Sequence, residues 1–128
     1  MPNHVHMIVQ AKGDNTISEI LRDLKKYTSR AISKKVEDEK QEGFVELLDQ
    51  FRNAGEPLKR IKNYKVWQDG NRAELLFSNK FFMQKLNYIH NNPVKAGLSS
   101  VPWDYLFSSA TNYADRESLL EVDLLSIT

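Results

Sequence analysis

Tyr88, Asn92 and the pair His4 and His6 are the residues whose types and spacing allow chemistry. Asn92 follows Tyr88 by one helical turn, so a helix sets a phenol and an amide oxygen on one side. A phenol on a rigid helix, off its apolar stripe, is a possible nucleophile beside a possible metal ligand. An ordinary amphipathic tyrosine, ring packed and hydroxyl wet, has the same pattern. His4 and His6 alternate with apolar residues, so on a strand both imidazoles point one way, roughly 6–7 Å apart. Two imidazoles so placed can bind one divalent metal together. Two half-exposed histidines on a sheet surface have that spacing too.

These residues need particular elements to position them. Ser78 is suited to N-cap a helix over residues 80–91, and Pro93 to close it, because proline removes a helical hydrogen bond and clashes with the preceding turn. Phe82, Leu86 and Ile89 form its apolar stripe, with Tyr88 off it. Residues 1–9 read as a β-strand with Val5, Met7 and Val9 opposite the histidines. Thr16-Ile17-Ser18-Glu19 has the form of a capping box opening a helix to about residue 36. Ile17, Ile20, Leu21, Leu24, Ala31 and Ile32 would be its buried face. Arg22, Lys26 and Arg30 recur at i, i+4 on another face. Like charges so spaced repel by a few tenths of a kcal/mol per pair, a cost that phosphate contacts offset.

Further on, residues 44–51 read as a short amphipathic helix with Phe44, Leu47, Leu48 and Phe51 inward, ending before Gly55. Residues 64–68 read as a strand turned by Asp69-Gly70. Residues 73–77 fit either a short strand or the approach to the tyrosine helix. Gly97 suits a helix end, residues 102–105 a turn, residues 107–113 a short helix, and residues 119–125 a last strand or extended tail. Strands and helices in this order predict an α+β fold with helices packed on a sheet, in one domain over 1–128.

Composition narrows the classes. The 128 residues contain no cysteine, which excludes a disulfide framework and a thiolate metal site. No apolar run reaches membrane-span length and no segment resembles a signal peptide, so no membrane partner and a cytoplasmic location are expected. The net charge of +1 is uninformative, but its distribution is not. Arg22, Lys25, Lys26, Arg30, Lys34 and Lys35 face the single acid Asp23 over that stretch, and Lys59, Arg60, Lys62 and Lys65 form a second cluster. Such patches fit a DNA-binding face and equally a solvated helix surface.

Met-Pro-Asn-His-Val-His at residues 1–6, followed by Leu-Asn-Tyr-Ile-His-Asn-Asn-Pro-Val-Lys-Ala-Gly-Leu at residues 86–98, resembles the single-tyrosine HUH transposases. These comprise the insertion-sequence transposases and the REP-associated tyrosine transposases. Leu24 through Ile32, Val66-Trp67-Gln68-Asp69-Gly70, Pro102-Trp103-Asp104-Tyr105 and Ser108 through Tyr113 also match, in the family's order. The resemblance implies a central antiparallel sheet carrying the histidines, an HUH-endonuclease-like α+β fold, with the tyrosine on a helix beside it.

The resemblance also implies transposase-type endonuclease and strand-transferase chemistry on single-stranded or hairpin DNA. Tyr88 would attack the phosphorus, form a 5′-phosphotyrosine and release a 3′-hydroxyl. A tyrosine in water is phenolate only about one part in a thousand at neutral pH, so help from a cation is expected. His4, His6 and the Asn92 oxygen would hold that cation. Imidazole with amide oxygen and no thiolate suits Mn²⁺ and tolerates Mg²⁺. Arg22, Lys25, Lys26, Arg30, Lys59, Arg60 and Lys62 would track the DNA backbone. Trp67 suits the core better than a base-stacking platform, and His90 reads as a surface or supporting residue.

Family members normally carry a strand and a helix before Met-Pro-Asn-His-Val-His, and here the motif stands at residue 1. The expected sheet would then have an open edge, which a second copy of the chain can fill in a homodimer. A catalytically impaired DNA-binding remnant is the alternative expectation. A small metallohydrolase unrelated to DNA, resting on the histidine pair alone, is a third.

Overall fold

The computed structural model of the chain describes residues 1, 3–39, 41, 43–58 and 64–125. Its regular elements are α1 (Ile17–Glu39), α2 (Phe44–Gly55), α3 (Asn79–Lys95), a 3₁₀ turn (Pro102–Asp104) and α4 (Ala110–Tyr113). The chain groups into two compact units. One is Val9–Arg72 and the other joins Met1–Ile8 to Ala73–Thr128.

In the unit Val9–Arg72, the capping box forms as the residue types dictate. The Thr16 N–H and hydroxyl donate to Glu19 Oε2 at 2.9 and 2.8 Å, and the Glu19 N–H donates to Thr16 Oγ1 at 3.2 Å. The inward side of α1 is rotated from the expected one. Ser33 and Val36 are buried and Leu21, Lys25, Thr28 and Ser29 half-buried, whereas Ile20, Leu24 and Ile32 are exposed. Apolar spacing leaves a wide stripe, and the neighbours decide which part of it is covered. The main neighbour is α2, which packs on α1 with Phe44, Leu47, Leu48 and Phe51 half-buried, as their spacing predicts. Gly43 starts α2 at φ 85°, a backbone region that glycine enters without strain. Beyond α2, the Tyr64 hydroxyl donates to Glu37 Oε1 at 2.6 Å, and the Lys65 N–H donates to the Phe51 carbonyl at 2.8 Å.

The expected sheet does not form. Among the described residues there is no β-strand at residues 3–9, 64–68, 73–77 or 119–125, so the α+β, antiparallel, HUH-like architecture gives way to a helical one. The physical reason is that alternation specifies which face a strand would bury, while a strand exists only through lateral hydrogen bonds to another. The alternating residues find no such cover: Val5, Met7, Val9, Leu75 and Phe77 are all exposed.

The second unit is organised on α3. Ser78, at φ −151°, accepts the Phe81 N–H at 3.2 Å and so caps α3. The helix runs past the expected stop, with Pro93 inside it. The helix then ends in a Schellman closure: the Leu98 N–H donates to the Pro93 carbonyl at 2.9 Å and the Gly97 N–H to the Val94 carbonyl at 3.0 Å. Gly97 takes the left-handed conformation at φ 71° that the closure needs. Proline therefore sits in the last turn, where its missing N–H costs one bond rather than a whole helix. The buried residues of α3 are Phe82, Leu86, His90 and Pro93, with Ala110 and Thr111 of α4 buried in the same unit. Ile89 is only half-buried, and His90 replaces it on the core side.

Candidate active site

His6 and Tyr88 are 82 positions apart in sequence and meet in the unit organised on α3. Their rings are 5.6 Å apart, edge to face at 81°. His4 stands against His6, ring centroids 4.9 Å apart and nearly perpendicular at 86°. The three rings therefore form one cluster: His4, His6, Tyr88. Tyr88 is 49% exposed, so the residue is half open to solvent. Capping at Ser78 and closure at Gly97 fix the helix that presents it.

The separation of the two imidazoles suits a shared ion. A metal–nitrogen bond of about 2.1 Å sets each ring centroid about 3.3 Å from the metal, so two cis imidazoles have centroids about 4.7–5.4 Å apart. The observed 4.9 Å falls within that span. His4 Nδ1 lies 2.7 Å from Asn3 Oδ1. With the proton on Nδ1 and donated to Asn3, Nε2 keeps its lone pair for a metal, an arrangement common around ligating histidines. Burial, then the charge of His4, then the N-terminal ammonium hold His6 below its ordinary value of 6.5. Each cause favours the neutral ring that a metal requires.

Asn92 is half-buried one turn below Tyr88, and its side chain makes no hydrogen bond among the described residues. No group of three or more His, Cys, Asp or Glu gathers into a metal site among the described residues. The amide oxygen of Asn92 is the third donor that the sequence suggests beside His4 and His6.

For His90 the surface alternative is corrected. The sequence places it at the surface or in support; it is buried, with Nε2 3.0 Å from Ser109 Oγ and its ring 5.3 Å from that of Tyr113. Burial lowers its pKa from the ordinary 6.5. It ties α3 to the segment carrying α4 and faces away from Tyr88. Spacing contained the signal, since Phe82, Leu86 and His90 repeat at i, i+4, i+8, but a polar ring is read as surface by default.

Lys95 is a further neighbour of Tyr88, to which the sequence assigns no role. Its ammonium lies 5.9 Å from the Tyr88 ring centroid, over the ring. Residues seven apart on a helix return to nearly the same side, so Tyr88, Asn92 and Lys95 share one face.

The basic residues of α1 belong to the other unit and divide by what they touch. Arg22 is paired with its neighbour Asp23, Nε to Oδ1 at 2.8 Å. Lys25 is turned inward, donating to the carbonyls of Gln68 at 3.3 Å and Gly70 at 3.0 Å, so it fastens the turn there. Lys26 and Arg30 are exposed. Lys59, Arg60 and Lys62 lie outside the described residues. Trp67 is half-buried, its indole N–H donating to Thr28 Oγ1 at 2.8 Å, which fits the packing role expected for it. Lys25, Lys26, Ser29 and residues 64–70 line a surface groove of about 240 Å³.

The family model for "Transposase IS200 like" matches residues 1–64, half of the chain. The match takes in His4, His6, α1 and α2, while Tyr88 lies beyond it. No curated protein and no solved structure matches the chain. No helix among the described residues is long and apolar enough to cross a membrane.

Proposed function

The chain belongs to the IS200-like transposases, and from that premise we propose that it is a metal-dependent, single-tyrosine DNA nickase and strand transferase acting on single-stranded or hairpin DNA. The observation that carries the reading is the contact of His6 with Tyr88, 5.6 Å between rings, on a tyrosine half open to solvent. A nucleophile and a candidate ligand pair from distant parts of the sequence converge on one spot.

In this reading the Tyr88 oxygen attacks the scissile phosphorus. A phosphorus–phenol oxygen bond forms and the bond to the 3′-oxygen breaks. The phenol proton leaves to solvent and the 3′-oxygen takes a proton from water. The phosphotyrosine keeps the energy of the broken ester, so a 3′-hydroxyl can reverse the step and join strands without a nucleotide cofactor. His4, His6 and Asn92 would hold a divalent cation, Mg²⁺ or Mn²⁺, which supplies neutralisation of the phosphate and of charge gained in the transition state. Exposed Lys26 and Arg30 contact the backbone of the strand through phosphates rather than bases. The other basic candidates, Arg22 and Lys25, must first give up the partners they hold.

The test is a covalent adduct. Protein is incubated with hairpin-bearing single-stranded DNA and Mn²⁺, and products are resolved under denaturing conditions. The wild type forms a protein–DNA adduct and Tyr88→Phe forms none. No adduct, or one that persists in Tyr88→Phe, would sink the reading. A second reading, a DNA-binding remnant without chemistry, draws on the lack of strands among the described residues. Salt-sensitive binding without cleavage is its signature.

A further inference from the structure

The reaction proposed for Tyr88 concentrates negative charge at one point, and the histidine side of the ring is only one of its borders. On α3, Asn92 and Lys95 follow Tyr88 by one and two turns on the same face. The Lys95 ammonium stands over the Tyr88 ring, 5.9 Å from its centroid. Among the described residues it pairs with no carboxylate. The other lysine of α3 close to an aromatic ring is Lys85, over Phe81, and it is already paired with Glu74. A cation beside a phenol, without a carboxylate partner and at a helix end open to solvent, has the attributes of a phosphate contact. Its position in the last turn also suits the helix dipole, but that would not require the ammonium to lie over Tyr88.

We infer that Lys95 is the protein's own cationic contact for the scissile phosphate, engaging its non-bridging oxygens before attack and those of the phosphotyrosine after it. The ligand class is a DNA phosphodiester. The contact sits on the helix that carries the nucleophile, so the phosphate and the phenol oxygen are held by one rigid element. The inference rests on Tyr88 as the nucleophile.

The test is a cycle between protein and substrate, read by binding rather than turnover. In Tyr88→Phe, without metal, the affinity for a single strand spanning the cleavage position is measured over a range of salt. Each phosphate contact contributes about −0.7 to the slope of log affinity against log salt. Lys95→Met should reduce the slope by about that amount, and so should a neutral methylphosphonate at the scissile position. Combined, they should reduce it no more than either alone. Lys95→Arg should restore the slope, and Lys34→Met, on α1, should behave the same with either substrate. Additive effects, an unchanged slope in Lys95→Met, or failure of the protein to bind the strand would overturn the inference. The adduct assay separates the two readings. An adduct with an additive cycle removes Lys95 and keeps the nickase. A non-additive cycle without an adduct leaves Lys95 a contact for that phosphate but overturns both the nickase and the scissile role inferred for it.

Discussion

Two substitutions on opposite sides of α3 should separate its folding role from its chemical one. Leu86 and Tyr88 are two residues apart, about 200° around the helix axis. Leu86 is 6% exposed and Tyr88 is 49% exposed. Leu86→Ala removes three carbons from the buried side. At about 0.8 kcal/mol per buried methylene-sized group this costs about 2.4 kcal/mol in transfer alone, and an unfilled cavity adds to it. No described side chain is fully enclosed, so the walls can relax inward. The cost should therefore lie low in the usual range, at about 2–3 kcal/mol. Tyr88→Phe keeps the ring against His6 and removes a hydroxyl that makes no hydrogen bond among the described residues. Its cost should stay within about 0.5 kcal/mol. Urea unfolding followed by far-ultraviolet circular dichroism reads both. Leu86→Ala should still give adduct under conditions where it is folded, and Tyr88→Phe should give none while folding normally. A loss below about 1 kcal/mol for Leu86→Ala would refute the placement of that face. An equal loss for Tyr88→Phe would refute the separation of roles.

Other perturbations test other parts of the molecule. Thr16→Ala removes one side of the capping box and should cost about 1 kcal/mol in the same unfolding measurement. His90 has a folded-state value lowered by burial, so the unfolded chain takes up its proton more readily. Stability should accordingly be level above about pH 6.5 and fall as pH drops through the lowered value; His90→Gln should remove that part of the decline in metal-free buffer. His6→Ala should weaken Mn²⁺ binding by more than about tenfold, measured by electron paramagnetic resonance of the free ion, if the imidazole pair holds the metal. Lys26→Gln with Arg30→Gln should lower the salt slope of strand binding by about 1.4 for two lost phosphate contacts.

Local interactions were the legible part of this protein. The Thr16–Glu19 box, the Ser78 cap and the Gly97 closure each depend on groups within a few residues, so residue type and spacing suffice to place them. The amphipathic pattern of α2 was readable for the same reason. The pairing of Tyr88 with Asn92 on one helical side followed from geometry that every helix shares.

Tertiary structure decided the rest. A strand is stable only beside another, so alternation over residues 1–9 announced a face and not a sheet. Which part of the wide apolar stripe of α1 turns inward depended on α2, a partner invisible to periodicity. Pro93 could stay inside α3 because it falls in the last turn, where its missing N–H costs one bond and little helix follows to be disrupted. Burial of His90 needed Ser109 and Tyr113, which lie far along the chain, and Lys25 found carbonyls rather than phosphates only because residues 68–70 fold back on it. The motif announced two histidines and a tyrosine; bringing His6 to the ring of Tyr88 across 82 positions is a non-local contact, and only folding can make one.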